Sequence, residues 1–183
     1  MQTFLPFNDF ATSAATLDDK RLNKQILEAA QLLRALDAGP TRDDGRRTAW
    51  YGHPAACMWR GFEAQLAAYG AACAAEWQRR GHDEHAETAA LYGRADSTTP
   101  LPAWIGVERV HASHRGNLLR KHREHYDGKI DGDAALPYSW PVMVRGRLAG
   151  YWSKHAGAKS GTLDDGRTCR SYADAVRMLG GKP

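Results

Sequence analysis

Three side chains in the stretch LDDKRLNKQILEAAQLLRAL, residues 17–36, have the types and spacing for acid–base chemistry on an anionic substrate. Arg21, Lys24 and Glu28 fall at i, i+3 and i+7, so on a helix they stack along one face. A carboxylate there can stabilise a developing positive charge or shuttle a proton, while the two cations hold phosphates. The plainer alternative is a solvated face carrying an i, i+4 ion pair worth about 0.2–0.5 kcal/mol, in the less favourable Lys-before-Glu order.

A second candidate is the segment HASHRGNLLRKHREHY, His111 to Tyr126. His111, His114 and Arg115 share a helical face, and Arg120, Lys121 and Arg123 add positive charge. Arg and Lys neutralise phosphates, while Ser, Asn and His hydrogen-bond phosphate oxygens or base edges. His111, His114, Arg115, Asn117, Arg120 and Lys121, with Arg21 and Arg60, form the expected DNA-facing set. The alternative is a solvated basic helix. Among the aromatics, Trp59–Arg60 and Tyr138-Ser-Trp140-Pro sit in the polar company that suits base stacking. Three His-x-x-His pairs (His82/His85, His111/His114, His122/His125) raise the question of a metal. No third ligand stands at a recognisable spacing, so the expectation is no metal. A nuclease using a histidine-bound metal stays open as a further alternative. There is no phosphate-cradling Walker loop and no GxGxxG, and no cofactor is expected.

The elements that must position these residues are mainly helical. Leu22, Ile26, Ala29, Ala30 and Leu33 form an apolar stripe opposite the charged face of the first long helix. Residues 1–16 look irregular, with Thr12, Ser13 and Thr16 as possible N-caps and Asp18 and Asp19 in the first turn. His53–Pro54 announces a second helix that runs to Arg79-Arg80-Gly81, a single spine of about 40 Å. Gly61 and Gly70 inside it mark close helix–helix approach. A short helix is expected over Asp83–Tyr92, then a helical region from Val107 that is broken or bent at Gly116. Pro141–Trp152 suggests a hairpin around Arg145–Gly146, and Ser171–Leu179 a terminal helix.

Composition sets the limits. The chain has 183 residues, a hydrophobic fraction of 43% and a net charge of +4, with a pI near 9.0 and a mean hydropathy of −0.58. That is enough chain for one domain with a proper core, and the basic balance leans toward an anionic partner. No run is apolar enough to span a membrane, and MQTFLPFNDF lacks the features of a signal peptide. Cys57, Cys73 and Cys169 are an odd, widely spaced set that suits reduced thiols.

Read in order, the motifs LDDKRLNKQILEAAQLLRAL, HPAACMWRGFEAQLAAYGAACAAEWQRRG and HASHRGNLLRK resemble the pyrimidine-dimer DNA glycosylase family, which includes phage endonuclease V-like UV-repair enzymes. The likeness is stronger to its larger bacterial and phage branch. It takes in the opening TFLPFNDFATSAATLDDKRLNKQ and covers roughly residues 2–141. The resemblance implies a compact all-helical fold with the N-terminal segment threaded between helices. It also implies a damaged-base glycosylase with an associated AP-lyase activity. In that family the α-amine of the chain attacks the sugar C1′, and a glutamate on the first long helix assists. Glu28 matches that glutamate. An α-amine titrates near about 7.7–8.0, so part of it is neutral and nucleophilic at pH 7, unlike a typical lysine. Flipping the nucleotide out of the stack costs a few kcal/mol, least at a damaged site. Here Gln2 follows Met1, and so large a second residue blocks methionine removal. The nucleophile would then be the Met1 amine, or Lys24, or water in a monofunctional enzyme. Ile26–Leu27 stand where related sequences often carry a cation beside the glutamate.

The expectation is therefore an all-α bundle over residues 1–141, with an irregular or hairpin extension at 142–183 of unassigned role. Its function would be excision of a damaged or modified pyrimidine from double-stranded DNA by a monomeric, cytoplasmic DNA-repair enzyme that does not enter membranes. Glu28, Met1 and Lys24 would be catalytic. The alternative is a non-catalytic nucleic-acid-binding module with the same fold.

Overall fold

The computed structural model of the chain describes residues 2–182. The first helices are α1 (Phe10–Thr16), α2 (Asp19–Asp37), α3 (Pro54–Trp59) and α4 (Glu63–Arg79). They are followed by α5 (Thr88–Tyr92), α6 (Glu108–Lys121) and α7 (Arg123–Tyr126). α1 lies in a stretch expected to be irregular. Its cap is Asp9, whose carboxylate accepts the Thr12 N–H at 2.7 Å. Asp18 is the N-cap of α2 rather than a first-turn residue, accepting the Arg21 N–H at 3.0 Å. An Asp at each cap fills the role expected of Thr12, Ser13 or Thr16.

The expected single spine is two helices. Arg60 leaves helical geometry and Gly61 takes φ +85°, a left-handed conformation that costs glycine nothing and breaks the helix there. Gly70 does mark a close approach. A Cβ on it would stand 2.7 Å from Leu91 Cδ2 and 2.9 Å from Ala29 Cβ, where α5 and α2 pack on α4. The expected break at Gly116 is absent. α6 continues through it, and the missing side chain admits the Asp133 carbonyl. The helix ends at His122, whose φ of −159° is not helical.

The all-α expectation is overturned by the C-terminal quarter. Strands β1 (Tyr138–Val144), β2 (Arg147–Lys154), β3 (Gly161–Leu163) and β4 (Thr168–Cys169) form an antiparallel sheet in sequence order, followed by α8 (Tyr172–Met178). The fold is mixed α and β. The β1–β2 turn is Arg145–Gly146 at φ +50° and +75°, the paired positive φ values of a tight hairpin, and β1 carries a bulge at Val142/Met143. The hairpin was visible as a turn signal. The other two strands have three and two residues set among Gly, Asp and Lys, too short to show an alternating pattern. β1 packs against α3 and α6, and α8 against β1 and β4. One core runs through both parts, from Leu22, Ile26, Trp59, Tyr69 and Trp104 to Val142, Trp152 and Tyr172. The boundary expected at residue 141 falls inside β1.

Candidate functional site

Residues 2–6 lie between α2, α4 and α6, and buried side chains take up their backbone polar groups. Gln25 on α2 accepts the Phe4 N–H at 2.8 Å. Tyr69 on α4 places its hydroxyl 2.8 Å from the Phe4 carbonyl and 2.9 Å from Gln25 Oε1. His114 Nδ1 accepts the Leu5 N–H at 2.9 Å, and Trp59 Nε1 donates to Thr3 Oγ1 at 2.9 Å. Arg115 donates to the Pro6 carbonyl at 2.8 Å. Phe4 and Leu5 are themselves buried, each worth about 1.5–3 kcal/mol of apolar transfer. An extended segment has no internal hydrogen bonds, so each of these partners offsets a desolvated N–H or C=O.

These bonds also fix the histidine tautomers. His111 Nε2 accepts the Gly106 N–H at 2.9 Å, so its proton sits on Nδ1 and goes to the Leu5 carbonyl at 2.8 Å. His114 accepts on Nδ1, so its proton sits on Nε2, 2.8 Å from the Gln2 side-chain amide. The matching acceptor is the amide oxygen, which exchanges places with the nitrogen by a simple flip and otherwise has no partner. Both rings are neutral. Burial lowers the pKa of His111, and takes His114 down to about 3.

The outcome of this packing is the geometry at Glu28. Its Oε2 accepts the Gln2 N–H at 3.0 Å. Its Oε1 lies 3.7 Å from Lys24 Nζ, with the carboxylate side chain 12% exposed and the lysine 64%. One oxygen is thus anchored on the Gln2 N–H and the other lies toward an exposed cation. Tyr138, the first residue of β1, lies within electrostatic reach of Glu28, Arg120 and Arg21. Burial raises its phenol pKa, Arg120 opposes that and Glu28 adds to it.

The expected DNA-facing residues divide into two groups. His111, His114 and Asn117 are buried and turn inward. The two histidines hold the N-terminal segment, and Asn117 donates to the Ser113 carbonyl at 2.7 Å. Their surface placement is corrected here: the apolar residues of α6, Val110, Leu118 and Leu119, share the same buried side. Lys24 and Lys121 are exposed. Arg21 is held by Asp18 at 2.7 Å and by the Lys121 carbonyl at 3.1 Å. Arg115 pairs with Glu108 and the backbone, and Arg120 binds Asn117 and the carbonyls of Ala134 and Leu136. Arg60 lies 4.1 Å over the Tyr51 ring and donates to the Tyr51 carbonyl at 2.8 Å. Met1 lies outside the described residues. Asp18 forms a neighbouring polar centre: burial favours its neutral acid, but hydrogen bonds from the Tyr126 hydroxyl and from Arg21 outweigh that and hold it at about 2.

Sequence reasoning missed Gln25, Tyr69 and Gln2. The signal was present for Gln25, a polar residue three positions after Leu22 and beside Ile26 on the apolar stripe. Among the described residues, no three His, Cys, Asp or Glu side chains cluster as a metal site would need. No described helix is long and apolar enough to cross a membrane.

Residues 1–90 match the family model described as pyrimidine dimer DNA glycosylase. Over those residues, just under half of its length, the chain is similar to that family. It is a family of DNA glycosylases, enzymes whose substrate is DNA. The matched span contains Gln2, Arg21, Lys24, Gln25, Glu28 and Tyr69, so both walls of the N-terminal segment on α2 and α4 are in it. The α6 wall lies beyond it, although the resemblance seen in the sequence extended to residue 141. No curated protein and no solved structure matches the chain.

Proposed function

We propose that this chain excises a damaged pyrimidine from duplex DNA, with Glu28 as the catalytic carboxylate. The observation that carries this reading is the anchoring of Glu28 Oε2 on the Gln2 N–H at 3.0 Å, with Oε1 facing outward beside Lys24. A carboxylate fixed on one oxygen presents the other at low reorganisation cost, where it can stabilise the positive charge that develops on the sugar as the base leaves. Lys24 and Lys121 meet the backbone phosphates, with Arg21 and Arg120 behind them. His111, His114 and Asn117 act from inside, by setting the N-terminal segment and α6. The chemistry lies within residues 1–141, and residues 142–183 complete the sheet that begins at Tyr138.

Strand cleavage would follow from an amine that forms an imine at C1′ as the base departs, with the imine then losing the 3′ phosphate by β-elimination. Lys24 supplies one amine 3.7 Å from Glu28, and the Met1 amine is the other. Duplexes carrying a single thymine dimer test both steps. Base release should fall by about 100-fold or more in Glu28→Gln, with DNA binding retained. Unchanged release in Glu28→Gln refutes the assignment, and absence of release by the wild type on dimer, oxidised-pyrimidine and modified-pyrimidine duplexes leaves a non-catalytic binding module. A borohydride-trapped adduct shows imine chemistry, and the peptide that carries it distinguishes Lys24 from Met1.

A further inference from the structure

A row of aromatic rings leads from the Glu28 site to the surface. His114, which holds Gln2 beside Glu28, has the Tyr138 ring edge-on at 6.4 Å. Tyr138 and Trp140 stand two apart on β1, on one face of the strand, with ring centroids 5.6 Å apart. His53 meets Trp140 edge-on at 5.9 Å, and Trp50 meets His53 at 5.2 Å. Among the inner rings Trp140 is 8% exposed and Tyr138 and His53 are half-buried, whereas Trp50 at the outer end is 49% exposed.

The turn that carries Trp50 is braced. Trp50 has φ +71°, a conformation that a bulky residue keeps only when its surroundings impose it. The His53 N–H donates to the Trp50 carbonyl at 2.9 Å, and His53 in turn caps α3 through Nδ1. Arg60 clamps the next residue from both sides, stacking on the Tyr51 ring and donating to its carbonyl. Burial holds the His53 imidazole down to about 4, so the ring behind the indole is uncharged at neutral pH. Arg46 and Arg47, both exposed, lie four and three residues before Trp50 in the same loop, Arg46 at 4.0 Å from Asp44.

We propose that Trp50 is a stacking platform for an unpaired nucleobase of the DNA bound at Glu28. This rests on the reading of the chain as a DNA glycosylase. A base is the occupant that the surroundings favour. A flat exposed indole offers it a π-face, Arg46 and Arg47 suit its flanking phosphates, and the row behind it is continuous with the Glu28 site.

The test uses binding, not turnover. The probe is a duplex with a tetrahydrofuran abasic analogue opposite 2-aminopurine, titrated with the full chain. Trp50→Ala should weaken binding by roughly 5-fold or more, the size of one lost base–aromatic stack, while Trp50→Phe stays within about twofold of wild type. At saturation, 2-aminopurine emission should be higher with Trp50→Ala, because the indole that quenches it is gone. Equal affinity and emission for wild type and Trp50→Ala overturn the proposal. So does Trp50→Phe behaving as Trp50→Ala, or a wild type that does not bind the probe. A wild type that binds through Trp50 but releases no base from any damaged duplex keeps this proposal and overturns the glycosylase reading. Base release with no change of probe binding in Trp50→Ala does the reverse.

Discussion

Protonation of His114 is the step by which acid should undo the candidate site. The ring is 1% exposed, and its Nδ1 already accepts the Leu5 N–H. Burial first, then the His111 and Arg115 charges, lower its pKa to about 3 against a weaker opposing effect of the Leu5 carbonyl. An unfolded histidine titrates near about 6.5. Between those values the unfolded chain binds a proton that the folded chain refuses. The contribution to stability is therefore complete above about pH 6.5 and falls as the pH drops toward 3. At about 1.36 kcal/mol per unit, the full window is worth up to about 5 kcal/mol, of which about 2–3 kcal/mol is gone by pH 4.5. Against a typical domain stability of about 5–15 kcal/mol, that is a large share. His111, also lowered by burial, adds in the same direction. Urea unfolding followed by tryptophan fluorescence at pH 7.5 and 4.5 measures the loss. His114→Gln is the control, because an amide can accept the Leu5 N–H without titrating. His53, taken by burial to about 4, adds as well, so the variant should lose about 2–3 kcal/mol less than the wild type rather than nothing. Equal losses in the two proteins would refute the placement of His114 as a buried neutral acceptor.

Two further substitutions test the supports of the site. Gly70→Ala should lower Tm by roughly 2–8 °C, since its Cβ meets Ala29 Cβ at 2.9 Å and the resulting overpacking, about 1–3 kcal/mol, exceeds the gain of about 1 kcal/mol in helix propensity; a raised Tm would show that α2 and α4 can separate freely. Tyr126→Phe removes the hydroxyl that donates to Asp18 Oδ2 at 2.7 Å and accepts the Asp18 N–H at 3.1 Å, so thermal unfolding at pH 7 should register a loss of about 1–2 kcal/mol. Asp18 is held low in the folded chain, so its stabilisation is present above pH 3.8 and lost as the pH falls toward 2, and that acid-dependent loss should shrink in the variant.

The helices were legible because their apolar stripes recur over three or more turns, as in Leu22, Ile26, Ala29 and Leu33. The break at Gly61 was not, because a glycine within a helical pattern reads equally as a close approach or a stop, and only the backbone decides. Gly70 and Gly61 show both outcomes within ten residues. β3 and β4 lay below the length at which alternation can be seen. Glu28 was legible as a carboxylate with cations on one helical face, but its anchoring was not, since Gln2 is 26 residues away in the chain and shares no periodicity with it.

The histidines show a deeper ambiguity. A helix rich in His, Ser, Asn and Arg can hydrogen-bond phosphates outside or a desolvated backbone inside, and both partners present the same chemistry of acceptors and donors. What separates the two is supply. Residues 2–6 are extended, and their N–H and C=O groups must be met wherever the segment is buried. The polar residues of α6 meet them, together with Gln25 and Tyr69. The consequence is a chain of dependence: Gln25, Tyr69 and His114 set the N-terminal segment, the segment sets the Gln2 N–H, and that N–H fixes the inner oxygen of Glu28. Substitutions at the buried polar residues should then reach Glu28 through position rather than through loss of a DNA contact.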